Sequence, residues 1–520
     1  MIKQKIEEAL RTALPGVNFV VERPRDMSHG DYSTNAALVS KTDPQALVGT
    51  LSKIEGVGKV DVAGKFINIW LSPEALLPKN EPLPQPNAGK TIMVEYTDPN
   101  PFKEFHIGHL MSNAIGESVA RLLEATGAKV LRVNYQGDVG PHVAKAIWAI
   151  IKKHGGVVSG TYAGAIGEAY VEGTKEYDKN PGAKKEIDEI NQKIYERSDP
   201  LVNSIYDAGR SISLLHFEDI YKILGTTFNY YFFESESAPK GLALIKAHPE
   251  VFEESDGATV FHGEHTRVFV TSLGLPTYET KDLGLLQLKK EKAKFDQSIT
   301  VTASEQSAYF KVVLAAATRI SEVADVAAKT SHVSHGMMRF ASGKMSSRTG
   351  NVVTGESLIA DLTEGARGRQ DVAVGAVKYA VLKSASHKDI IFDPEKSLSL
   401  EGDSGPYVQY ACVRAAAVLR KAADAREVDV APADKESYTA VARVLVHFPD
   451  IVARAALELE PHYLTTYLTE LAAAFNKWYG VQQFIVDGQI LKSHADMIRA
   501  VERTLTAGLD ILGIPIPEEM

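Results

Sequence analysis

The residues best suited to chemistry lie in two short segments. His106-Ile107-Gly108-His109 stands where the exit loop of an expected strand turns into an expected helix. A helix N-terminus presents unpaired N–H groups and roughly half a unit of positive charge, which suits a phosphate. Gly108 lets a ligand approach the backbone and the two imidazoles add donors, so the site suits ATP. The same histidines also fit an ordinary surface pair or half a metal site. Far downstream, Gly343-Lys344-Met345-Ser346-Ser347-Arg348-Thr349-Gly350-Asn351 follows the run Met337 to Phe340. Small, polar and basic, this loop has the composition of a phosphate clamp, and equally that of a solvated turn.

The surrounding elements would place these residues on a nucleotide-binding sheet. Thr91 to Tyr96 reads as a short buried strand, and a helical pattern runs from His109 to Thr126, with Leu110, Ala114, Ile115, Val119, Leu122 and Leu123 on one face. Gly127 stops it, and Lys129 to Asn134 reads as a second strand. The resulting βαβ unit predicts a parallel sheet. Upstream, residues 78–90 concentrate proline and polar residues and mark a boundary. Residues from about 155 to 265 interrupt the pattern with polar helical stretches such as Ala183 to Asp199 and read as an insertion. From about 400, strands disappear: Val408, Cys412, Ala415 and Leu419 repeat at helical spacing, with Arg414, Arg420 and Lys421 on other faces. The expected fold is α/β: a Rossmann-like parallel-sheet domain over 90–395, an N-terminal α+β domain over 1–85, and a C-terminal all-α helical-bundle domain over 400–520.

Composition narrows the classes. A chain of 520 residues exceeds one ordinary core, and 44% hydrophobic with 24% charged residues is globular, with no apolar run long enough to cross a bilayer. A net charge of −9 opposes nonspecific coating of nucleic acid, so any such contact must come from local patches. The lone Cys412 excludes an intramolecular disulfide and a cysteine zinc cluster, and no His-Glu-x-x-His pattern occurs, so no zinc or other resident metal is expected. The first residues read as an amphipathic helix carrying Ile2, Ile6 and Leu10 rather than a signal peptide, and a cytoplasmic location is expected. Gly58 to Phe66 mimics a P-loop but has one residue too many between its glycines, and Phe66 replaces the Mg²⁺-binding hydroxyl.

The two chemical segments, in their order and separation, resemble the HIGH and KMSKS signatures of class I aminoacyl-tRNA synthetases. The closer resemblance is to the arginyl family, and it covers almost the whole chain. Glu95 to Pro101, Asn134 to Gly140 and Gly405 to Tyr410 are similar to that family's patterns, as is the closing Pro517-Glu518-Glu519-Met520. His29 to Asn35 and Phe66-Ile67-Asn68 resemble its additional N-terminal domain. The resemblance implies that ATP, as its Mg²⁺ complex, activates L-arginine to arginyl-adenylate with loss of pyrophosphate, and that the arginyl group passes to the 3'-terminal ribose of tRNA(Arg). A monomer is expected.

The resemblance also assigns residues. His106, Gly108, His109, Lys344, Met345, Ser346 and Ser347 would bind ATP, with His106, His109 and Lys344 catalytic. Ser347 stands where the signature has a second lysine, and the resemblance implies compensation by a lysine just upstream of the histidines, here Lys103. Tyr278 and Asp282 would hold the guanidinium, with Glu234 a further candidate; Glu95 and Asn100 would hold the head group, assisted by Gln306. A carboxylate is the physical match for a planar guanidinium. Asn68 and Tyr410 would contact tRNA. His142 departs from the glutamine the family often has there. A protein that had lost catalysis and only bound tRNA would have no need to retain His106, His109, Lys344, Tyr278 and Asp282 together. A synthetase for another amino acid would not depend on Asp282.

Overall fold

The computed structural model describes residues 2–80, 82–156, 163–341, 353–430 and 435–520. At the N-terminus, α1 (Ile2–Ala13), α2 (Ala36–Ser40) and α3 (Pro44–Leu51) accompany an antiparallel sheet of β1 (Val21–Glu22), β2 (Tyr32–Thr34), β3 (Val57–Ala63) and β4 (Phe66–Leu71) in the order β1-β2-β4-β3. Helix α1 buries Ile6 and Leu10, as their spacing predicts.

The central body is a five-stranded parallel sheet. Its strands are β5 (Thr91–Glu95), β6 (Lys129–Gln136) and β7 (Tyr230–Phe233), then, after a small antiparallel sheet of β8 (Glu253–Ser255), β9 (Ala258–His262) and β10 (Thr266–Val270), β11 (Gln297–Ala303) and β12 (Thr330–His335). The order β12-β11-β5-β6-β7 turns back at β5, so the chain leaves β5 and β11 on opposite sides and opens a crevice beyond their C-terminal ends. Helix α4 (Ile107–Ala125) follows β5, starting two residues earlier than the apolar pattern suggested because the His106 cap, not an apolar residue, sets its first turn. Fourteen of its 19 residues are buried, polar Ser112, Asn113, Glu117 and Ser118 among them, because it is covered on the face away from the sheet as well.

Between β6 and β7 run α5 (Pro141–His154), α6 (Ala163–Lys179), α7 (Pro181–Glu196) and α8 (Pro200–Leu224). They carry their own core, with Ile147, Ile166, Ile187 and Ile205 buried together. Strand β7 lies inside the span expected as an insertion, yet it pairs with β6 in the main sheet; the interrupting helices end at Leu224. Helices α9 (Glu234–Ala247), α10 (Tyr278–Lys292), α11 (Ser307–Ala317) and α12 (Ala324–Ala327) complete the sheet's surroundings. Strands β13 (Met338–Phe340) and β14 (Ile390–Phe392) pair in parallel, and α13 (Gly355–Gly365), α14 (Gln370–Leu382) and α15 (Pro394–Ser397) lead to the C-terminal helices.

Those are α16 (Gly405–Ala422), α17 (Lys435–Leu445), α18 (Phe448–Glu458), α19 (His462–Val481) and α20 (Lys492–Ile511). Leu468, Phe475, Trp478, Val501 and Leu505 fill their core. The region is not wholly free of strands: β15 (Arg426–Val428), β16 (Ile485–Val486) and β17 (Gln489–Leu491) form a small sheet, each too short to show an alternating pattern in sequence. The N-terminal sheet is fastened to these helices by ion pairs of Asp31 with Arg443 at 2.6 Å and Arg23 with Glu470 at 2.5 Å, and by the Tyr32 hydroxyl, which donates to Asp450 at 2.8 Å. The segment His29 to Asn35 thus supplies a domain joint.

Candidate active site

The crevice is built first from the end of β5. Glu95 is buried and its carboxylate lies 2.8 Å from the buried Lys289 ammonium of α10. The chain then passes through Thr97, Asp98 and Phe102 with φ of 79°, 45° and 69°, a conformation that non-glycine residues hold only when their surroundings over-determine it. Those surroundings are explicit. The Thr97 N–H donates to Ser112 Oγ at 3.0 Å, Asn113 donates to Thr97 Oγ1 at 3.0 Å, the Tyr135 N–H donates to Asp98 at 2.7 Å, and the Phe102 N–H donates to Ser213 at 3.1 Å.

His106 then caps α4. The Gly108 N–H donates to His106 Nδ1 at 3.1 Å, and the His106 N–H donates to His109 Nδ1 at 3.3 Å. The rings stack with centroids 3.5 Å apart. Because each Nδ1 accepts a backbone proton, each ring carries its own proton on Nε2, which leaves two neutral N–H donors at a helix N-terminus. The pKa directions agree: burial and the nearby Lys103 lower His106, while burial, His106, Lys103 and His335 lower His109 further. Lys103 lies over the Tyr170 ring at 5.2 Å. Burial lowers its pKa, and Glu234 opposes that loss of charge.

Across the crevice, α9 and α10 contribute Glu234, Lys281 and Asp282. The Lys281 ammonium pairs with Glu234 at 2.6 Å and lies over the Tyr278 ring at 5.0 Å. Burial works against its charge, and Glu234 with Tyr195 and Tyr278 more than offsets this. The Tyr309 hydroxyl donates to Asp282. Burial, with the fields of Glu95 and Glu234 added, pushes the Asp282 carboxyl up to about 7, and burial together with Glu95 raises Asp98 well above its ordinary value. Four carboxyls, Glu95, Asp98, Glu234 and Asp282, therefore face two lysines, Lys281 and Lys289. Glu95 and Glu234 are paired with Lys289 and Lys281, while Asp98 and Asp282, whose pKa values burial raises, make no ion pair among the described residues, so a cationic ligand would meet its counter-charge there.

The rim is fixed by Gly137 and Asp138 after β6. Asp138 is fully satisfied by Tyr206, Arg210 and both the N–H and hydroxyl of Ser235. A Cβ on Gly137 would stand 2.1 Å from Asn100 Oδ1, so only glycine lets Asn100 take its place beside Glu234. Gly137→Ala is expected to displace Asn100 and raise KM for the amino-acid substrate about tenfold or more, while thermal unfolding shows the protein still folded. His142 donates through Nε2 to the Gly137 carbonyl at 2.8 Å, and burial, then Lys103, push its pKa down to about 3, so it is neutral at any working pH.

The structure therefore brings together Glu95, Asn100, Lys103, His106, His109, Glu234 and Asp282. Tyr278 opens α10 one turn before Asp282 with its ring largely exposed, and Gln306 is exposed on the turn after β11. Lys344, Met345, Ser346 and Ser347 lie outside the described residues. Asn68 is buried in β4, where the Ser33 hydroxyl donates to its carbonyl oxygen at 2.9 Å. The half-buried Tyr410 is covered by the Arg414 guanidinium at 4.3 Å, which also lies over the Tyr479 ring at 4.6 Å. Asp98, Lys281, Lys289, Tyr135 and Tyr309 received no role from the sequence. The available signal was Lys281 and Lys289, eight apart and so near one face of a helix otherwise lined there by leucine. Among the described residues no group of His, Cys, Asp and Glu is arranged to hold a metal ion.

Comparison with known proteins agrees with this geometry. Residues 1–71 match the family model of the arginyl tRNA synthetase N-terminal domain, residues 72–394 that of the class I (R) tRNA synthetase catalytic domain, and residues 408–520 that of the DALR anticodon binding domain. The arginine–tRNA ligase of Lactococcus lactis strain IL1403 is 30% identical with both chains covered in full, and that of Borreliella afzelii is 28% identical over 96% of this chain and 94% of its own. The solved arginyl-tRNA synthetase of Thermus thermophilus superposes at a TM-score of 0.81 with 27% identity, each chain covered completely. With its parallel sheet, its histidine-capped helix and a catalytic-domain match over more than half its length, this chain belongs to the arginyl family of class I tRNA synthetases.

Proposed function

We propose that this chain is an arginine–tRNA ligase that forms arginyl-adenylate from L-arginine and ATP and transfers the arginyl group to the 3'-terminal ribose of tRNA(Arg). The observation carrying the reading is the crevice in which four carboxyls face two lysines beside a helix N-terminus with two neutral imidazole donors. Arginine enters the carboxylate side. Asp282, with Tyr278, takes the guanidinium; Glu95 and Asn100 take the head group, with Gln306 at its edge. Glu234, which also holds Lys281, is a further candidate for the guanidinium.

ATP, entering as its Mg²⁺ complex, lies against His106, Gly108 and His109, and Lys344, Met345, Ser346 and Ser347 bind it as well. The arginine carboxylate attacks the α-phosphorus, pyrophosphate leaves, and no covalent enzyme intermediate is required. The protein's contribution is to align the two substrates and to set donors where charge accumulates on phosphate oxygens. We assign residues 1–85 to an additional tRNA-binding domain, 90–395 to catalysis with its interrupting helices ending at Leu224, and 400–520 to the anticodon, with Asn68 and Tyr410 as contacts; a monomer in the cytoplasm fits this division.

The test is aminoacylation. The purified protein, ATP, Mg²⁺ and total tRNA are incubated with each labelled amino acid separately, and arginine alone should appear on tRNA. Label from another amino acid would overturn the pocket, and tRNA binding without any label would overturn catalysis.

The raised Asp282 pKa adds a second expectation. Only the carboxylate form attracts a guanidinium, and in the free protein that form is lost as pH falls through about 7. Arginine affinity should therefore weaken by about tenfold per pH unit below that point and level off above it. Calorimetry near pH 7 in buffers of different ionisation enthalpy should show protons released on binding.

A further inference from the structure

The HIGH-motif helix has a second face of charge that the reaction described above does not use. About two turns beyond His109, buried Glu117 accepts from the Tyr96 hydroxyl at 2.5 Å on one side and pairs with Arg121 at 2.7 Å and Arg132 at 3.3 Å on the other. Tyr96 follows Glu95 directly and precedes the left-handed Thr97 and Asp98. Its ring occupies space that a Cβ on Gly116 would enter at 2.3 Å, and its carbonyl accepts from Asn134 at 3.2 Å. The side chain of Tyr96 is thus one of the constraints that keep the unfavourable backbone after Glu95 in place.

Arg121 faces the other way. Its guanidinium donates to the Asp510 carbonyl at 3.0 Å, to the Asp510 carboxylate at 2.8 Å and to the Gly225 carbonyl at 3.1 Å. Ser118 donates to the Ile511 carbonyl at 3.3 Å, and the buried Lys378 ammonium donates to the Gly513 carbonyl at 2.7 Å and the Leu224 carbonyl at 2.6 Å. The end of α20, the last helix of the C-terminal domain, is therefore bound to the same helix turn that holds Tyr96.

We propose that Glu117 is a positioning residue, linking Tyr96 to Arg121 so that the placement of Glu95 depends on the docking of the C-terminal helical domain through Asp510. This rests on the reading of Glu95 as a head-group carboxylate. A buried ion cluster that served stability alone would need the arginines but not the Tyr96 hydroxyl, which adds a hydrogen bond from the site's own backbone segment.

The test uses the full chain with tRNA present. Tyr96→Phe, Arg121→Gln and their double variant are assayed for KM of arginine, KM of tRNA, kcat and thermal midpoint. Each single change should raise KM for arginine about three- to tenfold, the size expected for one lost hydrogen bond, and leave KM for tRNA unchanged. The double variant should be no worse than the poorer single one, because both cut one chain of contacts. Effects that multiply, or a lowered midpoint with an unaltered KM for arginine, would overturn the proposal. Should Arg121→Gln not fold, Asp510→Asn, whose side chain is 73% exposed, replaces it in the same cycle. Glu95→Gln separates the two readings. If it leaves KM for arginine unchanged, the head-group assignment falls and this proposal with it; if it raises KM while Tyr96→Phe does not, the positioning role alone falls.

Discussion

Replacing Asp282 by Asn should lower kcat/KM for arginine by about two to three orders of magnitude, the loss expected when a desolvated cation is left without its counter-charge. Asparagine keeps the shape and an acceptor for the Tyr309 hydroxyl, so the change removes charge rather than packing. Stability should move the other way. The folded-state pKa of Asp282 lies above its ordinary value, at about 7, so folding disfavours its ionised form, and this site costs stability as pH rises from about 4 to 7. Asp282→Asn removes that cost, and the thermal midpoint of the ligand-free protein at pH 8 should rise or hold. A gain in stability with a loss of activity is the expected signature of a site charged for its ligand. A lowered midpoint with arginine use retained would place the guanidinium elsewhere. The decline of arginine affinity below pH 7 should also disappear in this variant.

The sequence carried the first two strands of the sheet and the body of α4 because both depend on local signals. Thr91 to Glu95 is a short apolar run, Gly127 ends a helix with a clear apolar face, and His106 stands at the turn between them. The crevice's charge balance was less legible. Lys289 meets Glu95 across almost two hundred residues of chain, and Lys281 meets Glu234 only because α9 and α10 pack together, so neither pairing leaves a local signal. Each of these two carboxylates is held by one buried ammonium, which fixes its place in the crevice before any substrate enters. Asp31 is a similar case. In sequence it belongs to a segment resembling a tRNA-binding domain, while in the fold it is spent on Arg443 and the Leu71 N–H. The limit of the insertion was misjudged because β7, four residues long and entirely aromatic, has no alternation that would mark it as a strand of the central sheet.

Lys103 carries the other large expected effect. The segment beginning at Gly343 has one lysine, Lys344, and Ser347 where the general signature has a second. A replacement charge must reach the nucleotide from elsewhere, and Lys103 precedes the histidine cap by three residues, within the field of His106, His109 and Glu234. Tyr170 of α6 lies under its ammonium, which restricts the side chain, and the carboxylate of Glu234 opposes the desolvation that would discharge it. Lys103→Met should therefore reduce arginine-dependent, tRNA-supported pyrophosphate exchange about a hundredfold in kcat, the magnitude of one lost charge-stabilising donor, with little change in KM for arginine. The decisive arm is rescue. An ammonium acts on phosphate as a point charge, so its chain of origin matters less than its reach. Ser347→Lys in the Lys103→Met background should restore much of the exchange rate, and the same change in the otherwise unaltered protein should add little. If Lys103→Met is silent, Lys103 is a solvated lysine beside Glu104; if it is severe but Ser347→Lys does not help, Lys103 acts on Glu234 and the amino-acid side of the crevice, and KM for arginine should then rise with it.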